Sequence, residues 1–134
     1  MILLDTNVVM RIVTGEGLIG QAARDLLVDS DELCCSAMVQ WEIATIARKG
    51  KLRIEMPVDI WLEQAAELLG YEEVLVTGAM ARDAGSLPEP MHGDPGDRIM
   101  IATARAMACP LMTTDEKILD YAAAGHLKAI DARR

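Results

Sequence analysis

The sequence predicts an α/β fold, a small layer sandwich with a central, mostly parallel sheet of four to five short strands flanked by helices. Three observations predict it. Short apolar runs alternate with segments of helical period along the whole chain. The first run, MILL, is apolar without interruption, as a strand buried on both faces is. Gly stands where several helical segments stop, as a left-handed helix terminus favours. At 134 residues the chain fits one domain, 1–134, long enough to bury about two thirds of its unfolded surface.

The elements follow in order. Residues 1–4 form a strand, and 7–13 (NVVMRIV) a short helix that Gly15-Glu16-Gly17 ends. GQAARDLLVDSD places Ala22, Ala23, Leu26 and Leu27 at helical spacing. ELCCS is a second strand. AMVQWEIATIARKG is a helix with Val39, Ile43, Ile46 and Ala47 on one stripe, and VDIWLEQAAELLG repeats that pattern. EEVLVT is a third strand and GAMARDAGSL a short helix, followed by a Pro- and Gly-rich loop, PEPMHGDPG. DRIMIATARAMA is the strongest helix. PLMTT is a fourth strand, DEKILDYAAAG a helix and LKAID a last short strand. In parallel sheets of this kind, sites form beyond the carboxyl ends of the strands.

Composition narrows the function. The net charge is −8 and there is no Phe, with Trp41, Trp61, Tyr71 and Tyr121 the only aromatic residues. Both counts argue against a large phosphate-gripping surface and an extended platform for stacked bases. The balance fits a protein that gathers carboxylates around cations or docks a basic partner. Cys34, Cys35 and Cys109 are odd in number and lack zinc-type spacing, so they read as buried free thiols in a reducing compartment. The opening apolar run has no basic leader and meets Asp5 too early for a signal peptide. No segment approaches the ~20 apolar residues of a membrane span. A cytoplasmic protein is expected.

Four acids then stand out. Asp5 follows the first strand and Asp115 the fourth, so parallel strands bring both to one sheet edge; each also reads as a turn former or helix cap. Asp94, Pro95 and Asp97 read as the cap, first and third residues of a helix. At about 100° per residue, Asp97 lies in line with Met100, Ile101, Ala104 and Ala108, so a carboxylate heads the buried stripe. Glu42 flanks the stripe of its own helix, one turn in from Ser36, and Trp41 faces nearly opposite. Like charges brought together need a cation, and a hard divalent ion held by a few carboxylates and waters supplies it.

LLDTNVV, WEI near position 42, HGDPGDRIMIATA and MTTD resemble, in order and spacing, the motifs of PIN domains, and more narrowly the VapC-type toxins of type II toxin–antitoxin pairs. The resemblance runs from Met1 to Arg134. It implies a metal-dependent endoribonuclease whose acidic residues carry over onto Asp5, Glu42, Asp97 and Asp115. Asp5 and Asp97 are then the direct ligands of Mg²⁺ or Mn²⁺, one or two ions per site. Thr6, Asn7 and Thr114 hold the carboxylates, and Asp94 caps its helix or assists a second ion. The resemblance further implies RNA as substrate, a homodimer, and a VapB-type antitoxin inserting into the active-site groove.

Two positions depart from the pattern or stay open. Gly96 stands where the family often carries a bulky residue. His92 reads as an exposed loop residue or a substrate contact. Arg11, Lys49 and Arg98, with Arg48, Lys51 and Arg53, are candidate phosphate contacts, although a basic helix end has its own reason to exist. Other readings differ in class. A dehalogenase-type phosphoaspartyl enzyme wants an acid where Asn7 stands, and a receiver module needs an Asp after a middle strand. A catalytically inactive PIN-like binding module would share the fold without the chemistry.

Overall fold

The computed structural model describes residues 1–134. Strand β1 (Ile2–Leu4) leads into helices α1 (Thr6–Thr14) and α2 (Gln21–Asp29), then β2 (Leu33–Ser36), α3 (Met38–Arg48), α4 (Val58–Leu69) and β3 (Tyr71–Val74). The second half runs α5 (Gly78–Gly85), α6 (Pro95–Met107), β4 (Leu111–Thr113), α7 (Glu116–Ala123) and β5 (Ala129–Asp131). The five strands form one sheet in the order β3-β2-β1-β4-β5. Every pairing is parallel, with Leu3 opposite Cys34 and Leu4 opposite Met112. The expected mostly parallel sheet is wholly so.

This order positions the site. The chain steps outward from β1 to β2 and β3, returns past β1 to β4, and steps outward again to β5. Its direction of travel reverses between β1 and β4, and at such a switch point a crevice opens beyond the strands' carboxyl ends. Residues 5 and 115 follow those two strands. Leu3, Leu4, Val8, Val9, Ile43, Met100, Ile101, Leu111, Met112 and Ile118 are fully buried and form the centre of an aliphatic core. Burying one such side chain stabilises the fold by roughly 1.5–3 kcal/mol.

Several boundaries differ from the sequence expectation. The third strand starts at Tyr71 and stops at Val74, because β2 offers only four partners, Leu33 to Ser36; Leu75 lies beyond them and is exposed. Of the stripe expected on α2, Ala23 is buried while Ala22 and Leu26 face out. Ala108 does not continue the α6 stripe: it ends that helix in a left-handed conformation, φ 50°. All three cysteines are buried and unbridged. No helix is long and apolar enough to cross a membrane.

Candidate active site

Asp5 is 3 % exposed and serves as the N-cap of α1. Its Oδ1 accepts from the Thr6 backbone N–H at 2.8 Å, and its Oδ2 accepts from Asn7 Nδ2 at 3.2 Å and Thr113 Oγ1 at 2.6 Å. Asn7 reaches the neighbouring strand end as well, its Oδ1 accepting from the Thr114 backbone N–H at 3.2 Å. Burial pushes the Asp5 carboxyl above its usual range; the hydrogen bonds pull the other way, and Asp115 adds to the rise.

Thr6 links the second acid. Its Oγ1 donates to Glu42 Oε1 at 2.9 Å. Burial first, and Asp5 and Asp94 after it, hold Glu42 up at about 7, against the pull of the Thr6 bond. The departure at Gly96 has a physical reason. A Cβ built there would lie 3.0 Å from Glu42 Oε2 and 3.3 Å from Asp94 Oδ1. Glu42 thus rests on the first turn of α6, in space that a larger residue would claim.

That turn is built as the sequence predicts. Asp94 is the N-cap, its Oδ1 accepting from the Asp97 N–H at 2.9 Å, and Pro95 opens the helix. Asp97 is pushed up to about 7 by burial and then by Asp94, Asp5, Asp115 and Glu42 in turn. All the expected acids therefore act on one carboxylate. Asp115 caps α7, its Oδ1 accepting from the Lys117 and Ile118 N–H groups at 2.8 and 3.2 Å. Asp94, Asp97 and Asp115 line an open groove of about 670 Å³ with His92, Glu116, Lys117 and Asp120, and no apolar side chain takes part.

Some expectations need correction. Thr113, not the Thr114 side chain, supports the site. Leu4 pairs with Met112, so the next residues, Asp5 and Thr113, stand side by side; Thr113 Oγ1 also accepts from the Asp115 N–H at 3.0 Å. His92 is not a loose loop residue. Its Nδ1 accepts from the Asp94 N–H at 3.2 Å, which leaves the ring N–H on Nε2. Nε2 is shielded from solvent 3.1 Å from Asp97 Oδ2, at ion-pair distance although off the direction of a good hydrogen bond.

Arg98 does not face the groove's anions. Its guanidinium donates to the carbonyls of Ala84, Met91 and His92 at 2.7, 3.1 and 3.2 Å, fastening the loop before α6. Arg11 donates to Leu18 O at 2.9 Å. Arg11 sits in the last turn of α1 and Lys49 caps the C-terminus of α3, at the helix ends away from Asp5, the N-cap of α1. Lys117, which sequence reasoning passed over, is the lysine on the groove wall.

Hard carboxylate oxygens suit a hard divalent ion. No group of three or more His, Cys, Asp or Glu side chains is arranged as a ready-made metal cage. Carboxylate oxygen is the donor that an ion of the Mg²⁺ type takes, and such an ion keeps several waters when one or two carboxylates hold it.

Residues 2–124 match the PIN domain family model. The chain belongs to the PIN-domain family. Over 120 residues this PIN domain is 32 % identical to Ribonuclease VapC22 of Mycobacterium tuberculosis (strain ATCC 25618 / H37Rv), covering 90 % of this chain and 91 % of that protein. Its fold is similar to a chain of VapBC2 from Rickettsia felis, solved bound to a DNA fragment from its promoter. The TM-score is 0.69 at 16 % identity, over 97 % of this PIN domain and 98 % of that chain. A chain of a toxin–antitoxin complex from Klebsiella pneumoniae gives 0.64 at 16 % identity, over 97 % and 96 %. The resemblance read in the sequence motifs and the α/β fold class both hold.

Proposed function

We propose that this PIN domain, spanning residues 1–134, is a metal-dependent endoribonuclease that hydrolyses RNA phosphodiester bonds as the toxin of a VapBC-type pair. The observation that carries the reading is Asp97, a partly buried carboxylate raised to about 7 by burial and by four further acids. A fold gains nothing by bringing uncompensated acids together, whereas a cation site requires it. The ribonuclease relative supports the same reading.

Asp5 and Asp97 would hold Mg²⁺ or Mn²⁺, one or two ions, with Glu42 and Asp115 completing the pocket. A bound ion supplies Lewis acidity that activates water and stabilises the phosphoryl transition state. The chain's own residues prepare the place. Thr113, Asn7 and the α1 N-terminus fix both oxygens of Asp5, so its orientation does not depend on the ion. Thr6 presents Glu42, and Gly96 makes room for it. Asp94 caps the helical turn that carries Asp97, His92 stands 3.1 Å from its carboxylate, and Lys117 offers the groove a cation for the RNA backbone.

A cognate VapB-type antitoxin is the proposed partner, as the complexes of the structural neighbours support. Trp41, 63 % exposed on α3, suits an antitoxin or homodimer contact. The cytoplasm supplies RNA and the reducing conditions that keep the three thiols free. The absence of a closed ligand cage favours, as a second reading, a PIN-like module that binds without cleaving.

The test is cleavage of an RNA mixture with Mg²⁺ or Mn²⁺, against EDTA and against Asp5→Ala and Asp97→Ala. The expected loss in each control is on the order of a thousandfold. Equal cleavage in all lanes would mean a contaminating nuclease.

A further inference from the structure

Beside the acid groove lies a second cavity of about 480 Å³. The two share the same wall residues, His92, Lys117 and Asp120. Pro90, Tyr121 and His126 line its far side, and the His126 ring stacks on Tyr121 with centroids 4.2 Å apart and planes 24° apart. We infer that this cavity is a subsite for an unpaired nucleobase of the RNA, next to the phosphodiester held over the acids. The inference rests on the ribonuclease reading for the identity of the polymer, and on the cavity itself for the base.

Three features carry it. First, the walls are fixed from behind. Tyr121 OH donates to Pro88 O at 2.6 Å, Arg98 fastens Met91 and His92, and Arg105, paired with Asp83 at 2.9 Å, donates to His126 O at 2.9 Å. A cavity held open in this way loses little freedom when a flat ring enters it. Second, the chemistry suits a base. Unpaired bases are held by stacking on aromatic or imidazole rings together with polar contacts to their edges. The part-exposed His126 supplies a ring, held flat by the buried Tyr121 behind it, and Asp120 supplies acceptors, which favour a donor-rich edge such as guanine's. Third, the two spaces share His92, Lys117 and Asp120, and His92 Nε2 lies 3.1 Å from Asp97, so a nucleotide next to the cut is within reach of the cavity. An extended stacking platform is absent from this chain, and a single-base subsite needs none.

The chain has two histidines, His92 and His126, and both line the cavity. Their ring protons therefore report occupancy directly by ¹H NMR, with His126→Ala assigning the signals. Guanosine 5′-monophosphate, without added metal, is expected to shift the signals of both, and ribose 5-phosphate to leave His126 in place. No response to the nucleotide, or an equal response of His126 to ribose 5-phosphate, would overturn the subsite. On RNA, His126→Ala is expected to raise KM about tenfold and to flatten the base preference beside the cut. An unchanged cut pattern with unchanged KM overturns it too. Should the wild type leave RNA intact, the ribonuclease reading falls, while the nucleotide titration still decides the subsite.

Discussion

Asp5 and Asp131 stand at the same edge of the same sheet, one just past β1 and the other closing β5, and their carboxyls are driven in opposite directions. Asp131 lies against Arg133, with Nε and Nη2 each 2.9 Å from its oxygens, and is held at about 2. Asp5 is buried, receives only neutral donors, and is raised. Position at a strand's carboxyl end is therefore not what marks a site. The mark is a buried carboxylate that the fold supplies with hydrogen bonds and denies a cation. Glu42, near 7 and bonded by Thr6, is partly buried and shares that lack of a cation; Asp97, also near 7, has no hydrogen bond to offset the acids around it.

Breaking the neutral support of Asp5 gives the largest expected effect on the fold. Thr113→Val keeps the shape of a fully buried side chain and removes the 2.6 Å bond. Urea unfolding should show a loss of about 2 kcal/mol. A loss under about 0.5 kcal/mol would mean that Asp5 needs no such support.

Gly96→Ala sharpens the comparison from Glu42's side. The added methyl meets the Glu42 carboxylate at 3.0 Å, the movable end of a side chain. The helix should tolerate it, since Ala exceeds Gly in helix propensity by up to about 1 kcal/mol. Cleavage should fall about tenfold while the melting temperature holds or rises. Unchanged cleavage would show that the position of Glu42 is not set by the missing Cβ. At the other pole, Arg133→Ala should lower the melting temperature only slightly, because Arg133 is solvent-exposed and the pair is partly screened. Its clearer effect should be a partial return of the Asp131 carboxyl toward its ordinary range, read by NMR titration.

Much of this was legible in the sequence, for reasons that differ by residue. Asp5 and Asp115 announce themselves because apolar runs stop at them, and Asp97 because a carboxylate heads an otherwise apolar helical stripe. Asp94 was readable as a cap from Pro95 and the spacing to Asp97. Thr113 was not legible, since choosing it over Thr114 depends on the register of β4 against β1, a contact more than 100 residues apart in sequence. The role of Arg98 is hidden from the sequence for the same kind of reason. Helical periodicity places it beside the stripe without showing that Ala84, Met91 and His92 turn their carbonyls toward it. His92 follows from Arg98, because only a fastened loop holds that ring against Asp97. The sheet order, which decides that Asp5 and Asp115 are neighbours, has no local signal at all.

The claim that these acids await a cation is tested most directly by thermal unfolding between pH 5 and 8, with and without Mg²⁺. Asp97 and Glu42 have folded pKa values of about 7, above their unfolded values near 4. The native state therefore binds protons more tightly than the unfolded state. That stability is present at low pH and is lost as pH rises through 7. The metal-free melting temperature should fall from pH 5 to pH 8, and Mg²⁺ should restore it at pH 8. Asp97→Asn should flatten the fall and remove most of the Mg²⁺ response. A metal-free melting temperature that holds or rises toward pH 8, or an equal Mg²⁺ shift in wild type and Asp97→Asn, would contradict the account.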